Sequence, residues 1–152
     1  MEKKMKKIIL WIMLPLMVTL LNASDKETLS MYCNDGDKKA CEALSLIKKE
    51  EKCIAGDGKI CTSVAMYYHN LKGVAIDFKK AFFFYKKACE KDDATACNNL
   101  GVLYKRGEGV RVDYHEALKY CHKSCELNDK NETTNGCKNE KVLEFAIKKV
   151  VE

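Results

Sequence analysis

Apolar residues recur along this chain with a helical period. Cys61, Val64, Ala65 and Tyr68 fall at i, i+3, i+4 and i+7, and so do Phe78, Ala81, Phe82 and Tyr85, a spacing that puts each set on one face of an α-helix. Two such stripes joined by a short polar stretch predict a helical hairpin. In a second hairpin the stretch Arg106-Gly107-Glu108-Gly109-Val110 divides the helices. Its glycines predict the positive φ that stops a helix, and Asp113 stands where an N-cap carboxylate accepts backbone N–H groups. Glu116, three residues on, predicts a capping box. From Lys138 onward Val142, Leu143, Phe145, Ala146, Lys149 and Val150 predict an amphipathic helix that caps the stack.

The hairpins repeat. Nine cysteines stand at 33, 41, 53, 61, 89, 97, 121, 125 and 137. Three successive pairs are eight apart, and a fourth, Cys125 with Cys137, is twelve apart. Cys53 to Cys89, Cys61 to Cys97 and Cys89 to Cys125 are each 36 residues, a period that marks a repeat protein. The same register lays Tyr68 on Tyr104, Gly73 on Gly109, Asp77 on Asp113 and Ala81 on Ala117. Gly101 aligns with Ala65 and predicts a close approach of helices rather than a hinge.

Residues 1–7 are mostly lysine, and a largely apolar run from Ile8 to Leu21 follows, then Asn22, Ala23 and Ser24. The pattern reads as a signal peptide over residues 1–23, cut after Ala23. Its apolar run would make a helix of about 21 Å, short of the roughly 30 Å hydrocarbon core, so no stable membrane span is expected. No cysteine sits at the junction to carry a lipid, so the expected destination is the periplasm or the medium. The formal charge of +5 belongs mostly to this leader; beyond it 23 basic and 21 acidic residues are interleaved. A nucleic-acid partner, which needs a basic stripe, is therefore not expected. Export also changes the cysteines, because oxidising compartments keep disulfides. C-x-x-C is absent, which removes the usual thiol-redox and zinc-knuckle spacings.

Leu100-Gly101-Val102-Leu103-Tyr104, followed by Gly107-x-Gly109-Val110-x-x-Asp113-x-x-x-Ala117-x-x-Tyr120, resembles the Sel-like repeat, a relative of the tetratricopeptide repeat. With cysteine pairs eight apart on an exported chain, residues 25–137 resemble the Helicobacter cysteine-rich protein family. The resemblance implies an all-α fold, an α/α superhelix whose hairpins are each cross-linked by one disulfide: Cys33 with Cys41, Cys53 with Cys61, Cys89 with Cys97 and Cys125 with Cys137. It also implies penicillin binding and weak β-lactamase activity. The domain is expected over 24–152, with a truncated unit at 25–52, full units at 53–88 and 89–124, and a cap at 125–152. Leu71, where the repeat has a loop glycine, and the insertion DKNETTN depart from the pattern.

Cys121 fills the slot that Tyr85 holds one unit earlier. Its place on the core face favours a buried free thiol. Pairing with Cys137 in place of Cys125, a nucleophile and an intermolecular crosslink remain as alternatives. A zinc set of Cys121, Cys125, His115 and His122 is the sharpest metal reading, but disulfides make better use of these cysteines, so no metal and no cofactor are expected. Ser45-Leu46-Ile47-Lys48 is the one S-x-x-K match, and neither S-D-N nor K-T-G accompanies it. No catalytic residue can be assigned, and β-lactam hydrolysis rests on the resemblance alone.

A stack in which each unit touches only its neighbours buries less apolar surface than a globule, so crosslinks supply stability. A nine-residue closed loop adds about 2.6 kcal/mol in the chain-entropy account, so four bridges add on the order of 10 kcal/mol as an upper bound. The stack also offers a face formed by the first helix of each unit. Ser63, Tyr67, Asn70, Asn99, Leu103 and Arg106 are expected to line it for a protein, a peptide, a peptidoglycan fragment or a β-lactam. In the run Phe82–Tyr85, Phe82 and Tyr85 are expected to serve the hairpin's own stripe and Phe84 to pack between units; for Phe83, which aligns with the polar Lys119, packing between units is favoured over exposure as a contact site.

Overall fold

The computed structural model describes residues 25–70, 76–128, 130 and 134–151. The leader, Leu71 and most of the DKNETTN insertion lie outside the described residues, as does the side chain of Val150. Helices and turns make up the described chain, with no strand among those residues. Contacts divide it between Lys48 and Lys49 into two compact units.

The first unit holds helix α1, over residues 25–34, and the start of α2, Lys38–Ile54. Between them Gly36 adopts φ +91°, and Asp37 accepts N–H bonds from Lys39 and Ala40 at 2.8 and 3.2 Å. This turn brings the Cα atoms of Cys33 and Cys41 to 4.6 Å, and the two are bonded, well inside the range a disulfide spans.

The second unit takes in the end of α2 and then α3 (Gly58–Asn70), α4 (Phe78–Cys89), α5 (Ala94–Arg106), α6 (Tyr114–Leu127) and α7 (Asn135–Val151). The turn recurs with the same logic. Gly56 takes φ +113° before Asp57, and Asp92, which is not glycine, takes φ +59° before Asp93. Asp57 caps α3 through Ile60 N at 3.2 Å, and Asp93 caps α5 through Ala96 N at 2.8 Å. Each turn is closed by a disulfide, Cys53–Cys61 and Cys89–Cys97, with Cα separations of 4.8 and 4.7 Å.

These bonds sit at the joints between hairpins. Cys89 ends α4 and Cys97 lies in the first turn of α5, so the bridge ties one hairpin to the next rather than closing a hairpin on itself. The hairpins run Gly58–Cys89 and Ala94–Leu127, several residues later than the expected units. Cys125–Cys137 joins α6 to α7 in the same way.

α3 packs on α4, α4 on α5, α5 on α6 and α6 on α7, while α5 also touches α7. The core repeats with the 36-residue register: Val64 with Leu100 and Ala81 with Ala117, all fully buried. Tyr68 stacks on Phe84 at 6.0 Å between ring centres, and Tyr104 stacks on Tyr120 at 5.6 Å. Phe84 therefore serves its own hairpin, and it is Phe82, edge-on to Tyr104 at 5.3 Å, that packs between units, the reverse of the expectation. Phe83 is exposed, the less favoured of its two readings.

Gly101 and Gly109 show why glycine is required. A Cβ at Gly101 would stand 2.6 Å from Cys121 Sγ and 2.9 Å from Ala117 O, so α5 and α6 touch there. Gly109 has φ +75°, and a Cβ would stand 2.3 Å from Phe78 O, because the α5–α6 loop folds onto the start of α4. Asp113 caps α6 through His115 N and Glu116 N, both at 3.0 Å. The capping box is not completed: the Asp113 N–H goes to Tyr104 O at 3.1 Å, and the Glu116 carboxylate pairs with Lys119 at 3.1 Å. Among the described side chains of the expected α7 stripe only Leu143 is fully buried, whereas Val142 and Phe145 are 55% and 64% exposed. A single face of α7 meets α5 and α6, so a stripe that wide cannot all be covered.

Candidate functional site

The second unit carries a polar seam where the end of α3, the middle of α4 and the α5–α6 loop meet. The Gly-Glu-Gly fold-back brings Glu108 to α3, where His69 Nε2 lies 3.7 Å from Glu108 Oε2. Arg106 Nη1 lies 3.8 Å from the other carboxylate oxygen. On its other side His69 Nδ1 is 3.4 Å from the Tyr85 hydroxyl, and Asn99 hydrogen-bonds the same tyrosine. The imidazole stands edge-on to the rings of Phe78 and Tyr85 at 5.6 and 5.9 Å.

Burial dominates the titration of this cluster. It lowers His69 from its ordinary value against the opposing pull of Glu108, with Arg106 adding to the lowering, so the imidazole is neutral at neutral pH. Burial pushes Tyr85 up to about 12, partly opposed by the Asn99 hydrogen bond. Glu108 Oε2 is buried with no hydrogen-bond partner among the described residues, since 3.7 Å to His69 is too long for one. The seam thus presents a neutral imidazole, an amide, a guanidinium and a carboxylate oxygen without a donor.

Of the six residues expected to line the first-helix face, the seam gathers Asn99 and Arg106. Ser63 and Asn70 are exposed on α3, and Ser63 turns its hydroxyl back to Ile60 O at 2.8 Å. Tyr67 is half-buried, edge-on to Tyr68 at 5.7 Å. Leu103 is corrected: it is fully buried in the core, because it lies on the stripe with Leu100 and not beside it. Asn139 of α7 donates to Asn98 of α5 at 2.8 Å and joins the first helices of successive units. His69 and Glu108 were not anticipated. The signal was a charged residue between two loop glycines, which can be pointed only once the fold-back is known.

Elsewhere the Tyr68 hydroxyl donates to Glu50 and accepts from Lys80 Nζ at 3.1 Å. A cleft of about 530 Å³ lies beside the joints, lined by Gly56, Asp57, Lys91, Asp92 and Asp93 among others. Its carboxylates are already engaged, Asp57 and Asp93 as helix caps and Asp92 with Lys123 Nζ at 2.8 Å. Cys121 is a free, buried thiol, and burial pushes its pKa up to about 11, which disfavours the thiolate a nucleophile requires.

Helical hairpins stacked in register, each joint closed by a disulfide, define an α-helical repeat scaffold. More narrowly, this chain carries Sel1 repeats: the Sel1 repeat family matches residues 61–93 and 94–129. Three solved structures share the fold. A protective antigen of uropathogenic Escherichia coli with an SLR fold superposes with a TM-score of 0.62 at 22% identity, over 82% of this chain and 26% of that one. A Sel1 repeat protein from Oxalobacter formigenes gives 0.56 at 26% identity, over 66% and 28%. Helicobacter pylori cysteine rich protein B gives 0.53 at 25% identity, over 73% and 88%. The chain thus spans about a quarter of the first two relatives and most of the third. No curated protein matches it.

Proposed function

We propose that this chain is an exported, disulfide-stapled scaffold whose first-helix face binds an extended protein or peptide segment or a peptidoglycan fragment. The observation that carries the reading is the Glu108 side chain, 24% exposed beside an Arg106 that is 59% exposed, whose Oε2 has no donor among the described residues. Such an atom carries a desolvation penalty until a partner N–H reaches it. Backbone amides and the peptide stems of peptidoglycan both bring N–H donors, and the neighbouring Arg106 and Asn99 can take the carbonyls that accompany them. Four disulfides support export, because reducing compartments do not keep them. Among the described residues no helix is long and apolar enough to cross a membrane.

Titration calorimetry of the oxidised protein with soluble muropeptides and with a set of unstructured peptides tests the reading. Saturable binding of one class is expected, weakened about tenfold or more by Glu108→Ala, since a hydrogen bond to a charged group contributes about 1.5–3 kcal/mol. Binding that ignores both Glu108→Ala and Arg106→Ala, or no binding of either class, overturns it. For β-lactam hydrolysis no observation adds support: Ser45 and Lys48 are both exposed on α2.

A further inference from the structure

The two hairpins differ at the start of their second helices. At the start of α4 the next hairpin's loop folds over: Gly109 meets the backbone of Phe78, and Glu108 lies against His69, whose ring stands edge-on to Phe78. Phe78 is half-buried there. The 36-residue register carries the arrangement to the start of α6, with Tyr114 in place of Phe78 and Lys105 in place of His69. Among the described residues no loop folds over this second start. α7 holds the place of α5, with Cys137 aligned on Cys97, so Ile147 falls where Gly107 ends α5, yet α7 runs on as helix to Val151. Tyr114 is accordingly 46% exposed. Ile76 and Val112, two residues before each aromatic, are 51% and 53% exposed, so the difference is confined to the surface that the loop covers. The charges differ too. Lys105 is half-buried, its charge reaches the Cys121 thiol, and among the described residues no carboxylate pairs with it. The acids nearby are engaged: Asp113 caps α6, Glu116 pairs with Lys119, and Glu108 lies between Arg106 and His69.

We propose that the start of α6 is a docking site for a turn of a protein partner that carries an acidic residue followed directly by glycine. The covered start of α4 shows the fit from within the chain. There a carboxylate is set against the side chain at position 69, and the next residue is glycine because its φ is +75° and a Cβ would strike the Phe78 carbonyl. At the open site Lys105 takes the partner's carboxylate, a half-buried ammonium gaining the counter-charge it lacks. Tyr114 supplies the apolar floor that Phe78 supplies one unit earlier, and the exposed Arg111 adds positive charge beside it. The site is separate from the seam of His69 and Glu108, and it stands whether or not that seam binds a ligand.

The probe is a cyclic peptide containing Arg-Gly-Glu-Gly-Val, the chain's own fold-back sequence over 106–110, titrated into isotope-labelled, oxidised protein and followed by nuclear magnetic resonance. Saturable shifts are expected at the amides of Lys105 and residues 111–115. Affinity is expected to fall about tenfold when the peptide has glutamine for its glutamate, or alanine for the glycine after it. Tyr114→Ser, checked for native helicity, is expected to weaken binding about fivefold. Lys105→Glu is expected to lose the acidic peptide and to take one with lysine for its glutamate, an exchange that a merely structural role for Lys105 does not produce. The proposal is overturned by the absence of saturable shifts, by shifts centred elsewhere, or by equal affinity for the glutamate and glutamine peptides. Self-association of the chain that Tyr114→Ser abolishes also overturns it, since the face would then join two copies.

Discussion

The hairpins Gly58–Cys89 and Ala94–Leu127 share one scaffold yet fill one core slot in opposite ways. In the first, Tyr85 is fully buried and the aligned small residue is Ala65; in the second, Cys121 occupies the slot and Gly101 replaces the alanine. The small thiol lets α5 and α6 approach until a Cβ no longer fits. The tyrosine does something more, because a buried hydroxyl needs partners. His69 and Asn99 supply them, and with them a polar group enters the interior. The candidate site therefore arises where the repeat departs from its own pattern.

Emptying the slot should separate the hairpins most. Tyr85→Ala is expected to cost about 3–5 kcal/mol, as for other buried aromatics, whereas Cys121→Ala, which loses a single small group, should cost about 1 kcal/mol. Urea unfolding of the oxidised proteins measures both. Equal losses would mean that the two slots are not equivalent in depth. Next in size comes the tie between the hairpins: replacing Cys89 and Cys97 together by alanine should cost about 2.6 kcal/mol by the chain-entropy relation.

Gly101→Ala probes the closer approach directly. Its Cβ would meet Cys121 Sγ, which can turn aside, and Ala117 O, which is backbone and cannot. A loss of about 1–3 kcal/mol is expected, only partly recovered by adding Cys121→Ala. Full recovery would show that the sulfur alone sets the spacing.

A smaller contrast lies in pH. His69 is held below its ordinary value of 6.5 by burial, so as the pH falls the unfolded chain takes the proton first. The stability it contributes is complete above 6.5 and is lost as the pH falls through the folded value. His122, raised by its hydrogen bond to Glu140, behaves oppositely: its contribution is present below 6.5 and lost as the pH rises through the folded value. Because His122 is 55% exposed, solvent screening makes this second effect slight. Melting temperatures across this range should fall on the acid side in wild type and flatten in His69→Gln.

How much of this could be read from the residues follows from what each signal constrains. The stripes and the 36-residue register are legible because a buried helix face needs apolar side chains at one fixed period. Gly101 was legible for the same reason, as a small residue within such a stripe. The cysteine spacing shows that a turn is closed, but not whether that turn lies within a hairpin or between two. Leu103 was misread as a groove residue because its distance from the stripe is less than one helical step. The meeting of His69 with Glu108 depends on a loop folding back over α4, and no period in the sequence encodes that path.

The stacked tyrosines give the finest test of the comparison. Tyr68 and Tyr104 hold equivalent positions, each stacked on the next helix. The Tyr68 hydroxyl also donates to Glu50 and accepts from Lys80 at 3.1 Å, and Lys80 Nζ lies 4.6 Å from the ring centre. In the second hairpin the residues aligned with Glu50 and Lys80 are Lys86 and Glu116, so the charges are exchanged. Lys119, rather than a tyrosine hydroxyl, takes the Glu116 carboxylate. Removing the Tyr68 hydroxyl therefore leaves two partners to re-solvate, and Tyr68→Phe should cost about 1 kcal/mol. Tyr104→Phe keeps the stack and should cost less than half as much. Equal losses in urea unfolding would place the energy of both positions in the rings, and the exchanged charges would then be ordinary surface variation.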